Sequence, residues 1–96
     1  MIKVKNVTGS SKVSPNPPIG YISWLDYWEK NARQTATRCG AIDCKRPGRN
    51  NLVGAHVQKV YDSDKKWYIV PLCLSCNQRT DDFYVDLTLI PSPNNL

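Results

Sequence analysis

The chain has 96 residues, 41% hydrophobic and 22% charged, with 13 lysines and arginines against 8 acids and a net charge of +5. That length holds one domain with a thin core, and the apolar share is globular, which excludes wholesale disorder. No run approaches the ~20 apolar residues of a membrane-spanning helix, and the opening Met1-Ile2-Lys3-Val4-Lys5-Asn6 lacks a secretory apolar stretch, so a cytoplasmic protein is expected.

Residues 1–20 are expected to be an irregular arm. Ile2-Lys3-Val4-Lys5 alternates and is at most an edge strand, and the Gly, Ser and Pro-rich sequence that follows blocks helix. A single domain is expected over residues 21–90, beginning with an amphipathic helix at residues 23–34. Ser23 is the expected N-cap, Asp26 sits in a near capping-box position, and Ile22 is placed to staple against Tyr27. Tyr21, Trp24, Leu25, Trp28 and Ala32 recur at helical steps as an apolar stripe, read chiefly as core packing. Base stacking, or a Trp24/Trp28 surface for a protein partner, is the alternative.

Arg38-Cys39-Gly40-Ala41-Ile42-Asp43-Cys44 reads as a thiol-bearing turn, and Lys45-Arg46-Pro47-Gly48-Arg49-Asn50-Asn51 as a basic loop. Residues 52–57 and 67–70 are expected strands, joined by the polar residues 62–66 and closed by Pro71. A short helix is expected at residues 74–80, a final alternating strand at 83–90 and a tail at 91–96. Helix N-terminal amides favour negative charge, which would ease deprotonation of thiols placed there.

Cys39 and Cys44 precede the only histidine, His56, and Cys73 and Cys76 follow it. Four thiols set two and two, the second pair a tight C-x-x-C, suit one tetrahedral zinc. In a reducing compartment metal is favoured over disulfides. Four thiolates leave no open coordination position, so this zinc is expected to be structural. Residues 1–56 hold nine Lys and Arg against three acids, and residues 57–96 four against five. The first segment is therefore where a polyanion would dock, nucleic acid being the commonest.

The order thiol turn, strand with His56 near its end, strand, then C-x-x-C-Asn opening a helix resembles the zinc-stapled HNH endonucleases of the His-Me finger group. Four features carry the resemblance, over roughly residues 38–82: the Cys39/Cys44 pair, Gly54-Ala55-His56-Val57, Ile69-Val70-Pro71-Leu72-Cys73, and Cys76-Asn77. It implies an α+β fold with a small zinc-stapled ββα, treble-clef-like core, extended by the N-terminal helix and a C-terminal strand. It also implies metal-dependent hydrolysis of phosphodiesters in DNA. His56 would be the general base, and Asn77 would contact phosphate or a catalytic Mg²⁺ or Mn²⁺ distinct from the zinc. The chain departs from the family at Ala55, where many members carry a metal ligand, and at Tyr68, where many carry Asn.

Lys45, Arg46 and Arg49 beside the zinc, and Arg79 beyond Asn77, are the expected phosphate contacts. Arg79 has an alternative use in an ion pair with Asp81 or Asp82. Three functions are thus expected in turn: a nuclease, a zinc-stabilised nucleic-acid-binding module without catalysis, and a protein-interaction domain.

Overall fold

A computed structural model describes residues 1–7, 16–63 and 65–93. Its strands are β1 (Ile2–Asn6), β2 (Leu52–Lys59), β3 (Trp67–Cys73), β4 (Phe83–Val85) and β5 (Ile90–Pro91), and its helices α1 (Trp24–Ala32) and α2 (Leu74–Asn77). All the strands pair antiparallel in one sheet of order β4-β1-β2-β3-β5. Much of the expected arm, residues 8–15, and the end of the tail, residues 94–96, lie outside the described residues.

The β2–β3 hairpin is the frame, paired without interruption from Leu52 opposite Cys73 to Gln58 opposite Trp67. Because side chains alternate along a strand, this register fixes which residues share a face. Gly54, His56 and Gln58 stand on one face. Ala55 and Val57 stand on the other, where Val57 pairs with Asn6 of β1 and Val4 pairs with Phe83 of β4.

Helix α1 covers the Gly54 face. It begins as its sequence dictates: Ser23 Oγ accepts the Asp26 N–H at 3.0 Å, and the Asp26 carboxylate accepts the Ile22 N–H at 3.0 Å. Ile22 is 89% exposed and staples nothing; Tyr21 takes that place, its ring edge-on to Tyr27 at 4.7 Å. Leu25 and Trp28 are buried, and Trp28 Nε1 donates to the Thr88 carbonyl at 2.7 Å. The helix lies so close to β2 that a Cβ on Gly54 would come within 2.4 Å of the Trp24 carbonyl carbon. Only glycine permits that approach.

The other face carries Val4, Val57, Val70, Leu72, Phe83 and Val85, all buried. The sheet curls until one segment, residues 40–42, bonds to both of its sides. Gly40 N–H donates to Pro71 at 2.8 Å, Ile42 N–H to Tyr84 at 3.0 Å, and Asp86 N–H to the Gly40 carbonyl at 3.2 Å.

Five expectations are corrected. β1 is an interior strand, held between β4 and β2. Pro71 lies inside β3, which runs on to Cys73. Its carbonyl faces Gly40, away from β2, so the N–H it lacks falls on the side where β2 needs no donor. The final strand is two short ones on opposite edges of the sheet, β4 beside β1 and β5 beside β3. The short helix stops at Asn77 because Asn6 Nδ2 donates to the carbonyls of Cys76 and Arg79, each at 2.9 Å, turning the chain out of helix. Pro91 belongs to β5 and Ser92 is buried, so the expected tail begins inside the fold.

Candidate metal centre

The first thiol pair sits on a tight turn. Cys44 and Lys45 both donate their N–H groups to the Ala41 carbonyl, at 3.1 and 3.0 Å, with Lys45 left-handed at φ 54°. Cys39 N–H donates to the Arg46 carbonyl at 2.8 Å, locking the turn to the basic loop. The second pair comes from the end of β3 and the single turn of α2, Cys73 and Cys76.

These four side chains converge. Their Sγ atoms all lie within 4.8 Å of one another, and Cys44 and Cys73 are 3.7 Å apart. A tetrahedral thiolate site with metal–sulfur bonds of about 2.3 Å has edges of about 3.8 Å, so the quartet can hold one metal ion. None of the four is in a disulfide; Cys39, Cys73 and Cys76 are buried and Cys44 is exposed. Burial pushes the Cys39 and Cys76 thiols up. Burial also acts upward on Cys73, but hydrogen bonds from Cys76, Cys44 and Cys39 outweigh it and bring that thiol below its usual range. Thiols this crowded shed their protons together only beside a cation.

The expected cations have separate fates. Arg79 is spent within the protein, donating to Asp81 at 3.0 and 2.6 Å and to Asp43 at 2.8 Å, with its guanidinium 4.4 Å from the Phe83 ring centre. Arg49 forks onto Glu29 of α1 at 3.0 and 2.7 Å. Lys45 Nζ approaches Asp86 at 3.7 Å. Among the described residues Arg46 makes no ion pair, and it is exposed. With Asn50 and Asn51 it forms one wall of a groove of about 390 Å³ whose other wall is Leu74 and Ser75 of α2.

His56 stands apart from this groove. Its ring lies edge-on to Trp24 at 4.6 Å and to Trp67 at 6.3 Å, under α1, and its Nε2 is buried with no hydrogen-bond partner among the described residues. Burial lowers its pKa to about 4, so the imidazole is neutral at pH 7. α2 is tied to the side chain of Asn6, which shares the Val57 face, and His56 projects from the opposite one. The backbone on either side of Asn77 is thus tied to the sheet face opposite the His56 side chain. Trp28 is core, as the packing reading of the stripe expects, and only Trp24 of that pair reaches partial exposure.

Two residues that the sequence did not single out organise the site. Asn6 ends α2, and nothing in its local sequence announces a contact 70 residues away. Glu29 holds Arg49 and also accepts the Ala36 N–H at 2.8 Å. Its place on the polar side of the helical stripe was the available signal. Among the described residues no helix is long and apolar enough to cross a membrane. In comparisons with known proteins, no family model matches the chain, and no curated protein or solved structure shows significant similarity to it.

Proposed function

We propose that this chain is a zinc-stapled, HNH-like module that grips nucleic acid through residues 45–51 without cutting it. Zinc is the metal the four sulfurs suit best, because all-thiolate tetrahedral sites are its characteristic structural coordination. In this reading β2, β3 and α2 are a small zinc-stapled ββα core, α1 an added cover and the C-terminal strands an extension. The zinc fixes the root of the basic loop, since the ligand Cys44 directly precedes Lys45 and Arg46.

One observation carries the choice between binding and cleavage: the imidazole Nε2 is buried under α1 while Arg46, in the loop beside the sulfurs, is exposed. A general base must come within hydrogen-bond reach of the water it activates. A buried Nε2 flanked by two indoles does not. The loop, by contrast, keeps Arg46 exposed and outside any ion pair among the described residues. Lys45 is only 3.7 Å from Asp86 and Arg49 is forked onto Glu29, so Arg46 and Lys45 are the cations that attract phosphates without reading bases.

The test is a labelled 20-base-pair duplex titrated at several salt concentrations, alongside plasmid incubated with Mg²⁺ or Mn²⁺. Binding is expected to weaken steeply with salt and to fall about tenfold in the Lys45→Ala/Arg46→Ala variant, with the plasmid intact. Salt-independent binding, or binding indifferent to those two changes, removes the reading. Nicking that disappears in His56→Ala replaces it with the nuclease, whose support is that same unpartnered nitrogen, poised for a substrate that displaces α1.

A further inference from the structure

Helix α1 packs on β2, β3 and β5. Beyond its reach, the same face of the sheet continues across β1 and β4 and turns to solvent. The register determines what that open half displays. Gln58 shares the His56 face, Lys5 pairs with Gln58, and Lys3, two residues earlier, pairs with Tyr84. Trp67, opposite Gln58 on β3, extends the row toward the helix. Tyr84 is 46% exposed, and Tyr61, just past the end of β2, is 77% exposed. One ammonium serves both rings: Lys3 Nζ lies 5.6 Å from the Tyr61 centroid and 5.8 Å from that of Tyr84.

We infer that this open half-sheet, with Tyr61 and Tyr84 as stacking surfaces and Lys3 and Lys5 as phosphate contacts, is a second binding site, one for single-stranded nucleic acid. The ligand follows from the chemistry. Exposed aromatic rings interleaved with lysines on a flat strand surface offer each base a π-face and each phosphate a cation, without a groove shaped for a duplex. Duplexed bases are already stacked on one another and present only their edges, so the two rings would find no face to cover. Strand residues Lys3, Lys5 and Tyr84 put no carboxylate on this surface. Of the neighbouring acids, Asp62 is engaged by Lys59 at 3.4 Å, and Asp82 lies near enough to act on Lys3, leaving Lys5 as the lysine clear of both.

This site is distinct from the loop 45–51. The two lie at opposite ends of β2, whose eight residues span roughly 25 Å at about 3.3 Å per residue. It therefore stands whether or not the loop binds duplex.

Fluorescence anisotropy with a labelled dT12 oligonucleotide decides the matter on the zinc-loaded protein. Stacking contributes about 1–3 kcal/mol per base, so Tyr84→Ala and Tyr61→Ala are each expected to weaken dT12 binding by about tenfold. Tyr84→Phe, which keeps a ring face, is expected to stay within about twofold, as is Lys45→Ala/Arg46→Ala. Tyr61 stands outside the strands, so its variant remains informative should Tyr84→Ala fail to fold. No binding of dT12 by the unaltered protein overturns the inference, as does binding that both tyrosine variants leave unchanged. Loss of dT12 binding in the loop variant alone also overturns it, assigning single strands to the loop instead. Failure of duplex binding with tyrosine-dependent dT12 binding intact removes only the loop reading.

Discussion

Replacing Gly54 with alanine tests whether α1 is clamped onto the sheet as tightly as the geometry states. The new Cβ would lie 2.4 Å from the Trp24 carbonyl carbon, 2.5 Å from the Leu25 nitrogen and 2.7 Å from the Trp24 Cβ. Two of these atoms are helix backbone and have no rotamer to escape into. Restoring contact at the usual 3.5–4.0 Å requires the start of α1 to retreat by about 1 Å, and a gap of that size forfeits a quarter to a half of the dispersion energy across it. Leu25 and Trp28, buried on the retreating helix, are each worth about 1.5–3 kcal/mol of burial, so about 1–2 kcal/mol goes with them. Overpacking strain adds about 1–3 kcal/mol. The expected loss is therefore about 3 kcal/mol, a large fraction of a small domain's stability. Urea unfolding of the metal-saturated protein measures it. Imidazole titration by NMR gives a second reading, because a lifted helix hydrates His56 and moves its pKa from about 4 back toward 6.5. A loss under 0.5 kcal/mol with the His56 pKa unchanged refutes the clamp.

Elemental analysis of protein purified without chelator is expected to find one zinc per chain. Cys39→Ser or Cys76→Ser is expected to abolish it and unfold the domain, since structural zinc supplies about 10–16 kcal/mol of apparent binding energy; a folded, metal-free variant contradicts the staple. In the unaltered protein His56 is expected to stay unprotonated down to about pH 4, whereas the unfolded chain takes up that proton near 6.5. Its contribution to stability is thus full above pH 6.5 and declines as the pH falls through that window, so an imidazole midpoint between 6 and 7 in the folded state would falsify the burial. Glu29→Ala is expected to cost about 1–2 kcal/mol, because it strips partners from both Arg49 and the Ala36 amide, and Arg49→Ala less than about 1 kcal/mol. Equal losses in thermal unfolding would show that the ion pair, not the amide contact, carries the effect.

The parts of this structure legible in the sequence are those governed by short-range chemistry. Ser23 caps the helix, the apolar stripe buries Leu25 and Trp28, the hairpin forms, and the four sulfurs meet. The parts that were not legible depend on partners far along the chain. Ile2-Lys3-Val4-Lys5 gives no sign that a strand from residues 83–85 will seal its outer side. Pro71 reads as a terminator unless its missing N–H is known to face away from β2. The alternation over residues 83–90 is continuous, yet Asp86 leaves it to bind Arg38 at 2.9 Å, and the chain then crosses to the far edge. The spacing of His56 and Asn77 is compatible with one centre, but which side of a sheet each residue occupies is set by register, and spacing alone does not supply it.

The interior position of β1 bears on how the protein comes into being at the ribosome. Residues 2–6 emerge before their hydrogen-bonding neighbours, residues 57–59 and 83–85. β1 must wait, with Val4 and its neighbours exposed, until residues 83–85 have been synthesised. The sulfur-bearing segment, residues 39–76, is complete before residues 83–85 and could hold a metal ion before β1 and β4 pair. If the sulfurs take up a metal ion at that stage, its supply during translation would govern how much of the new chain escapes aggregation before β1 is paired.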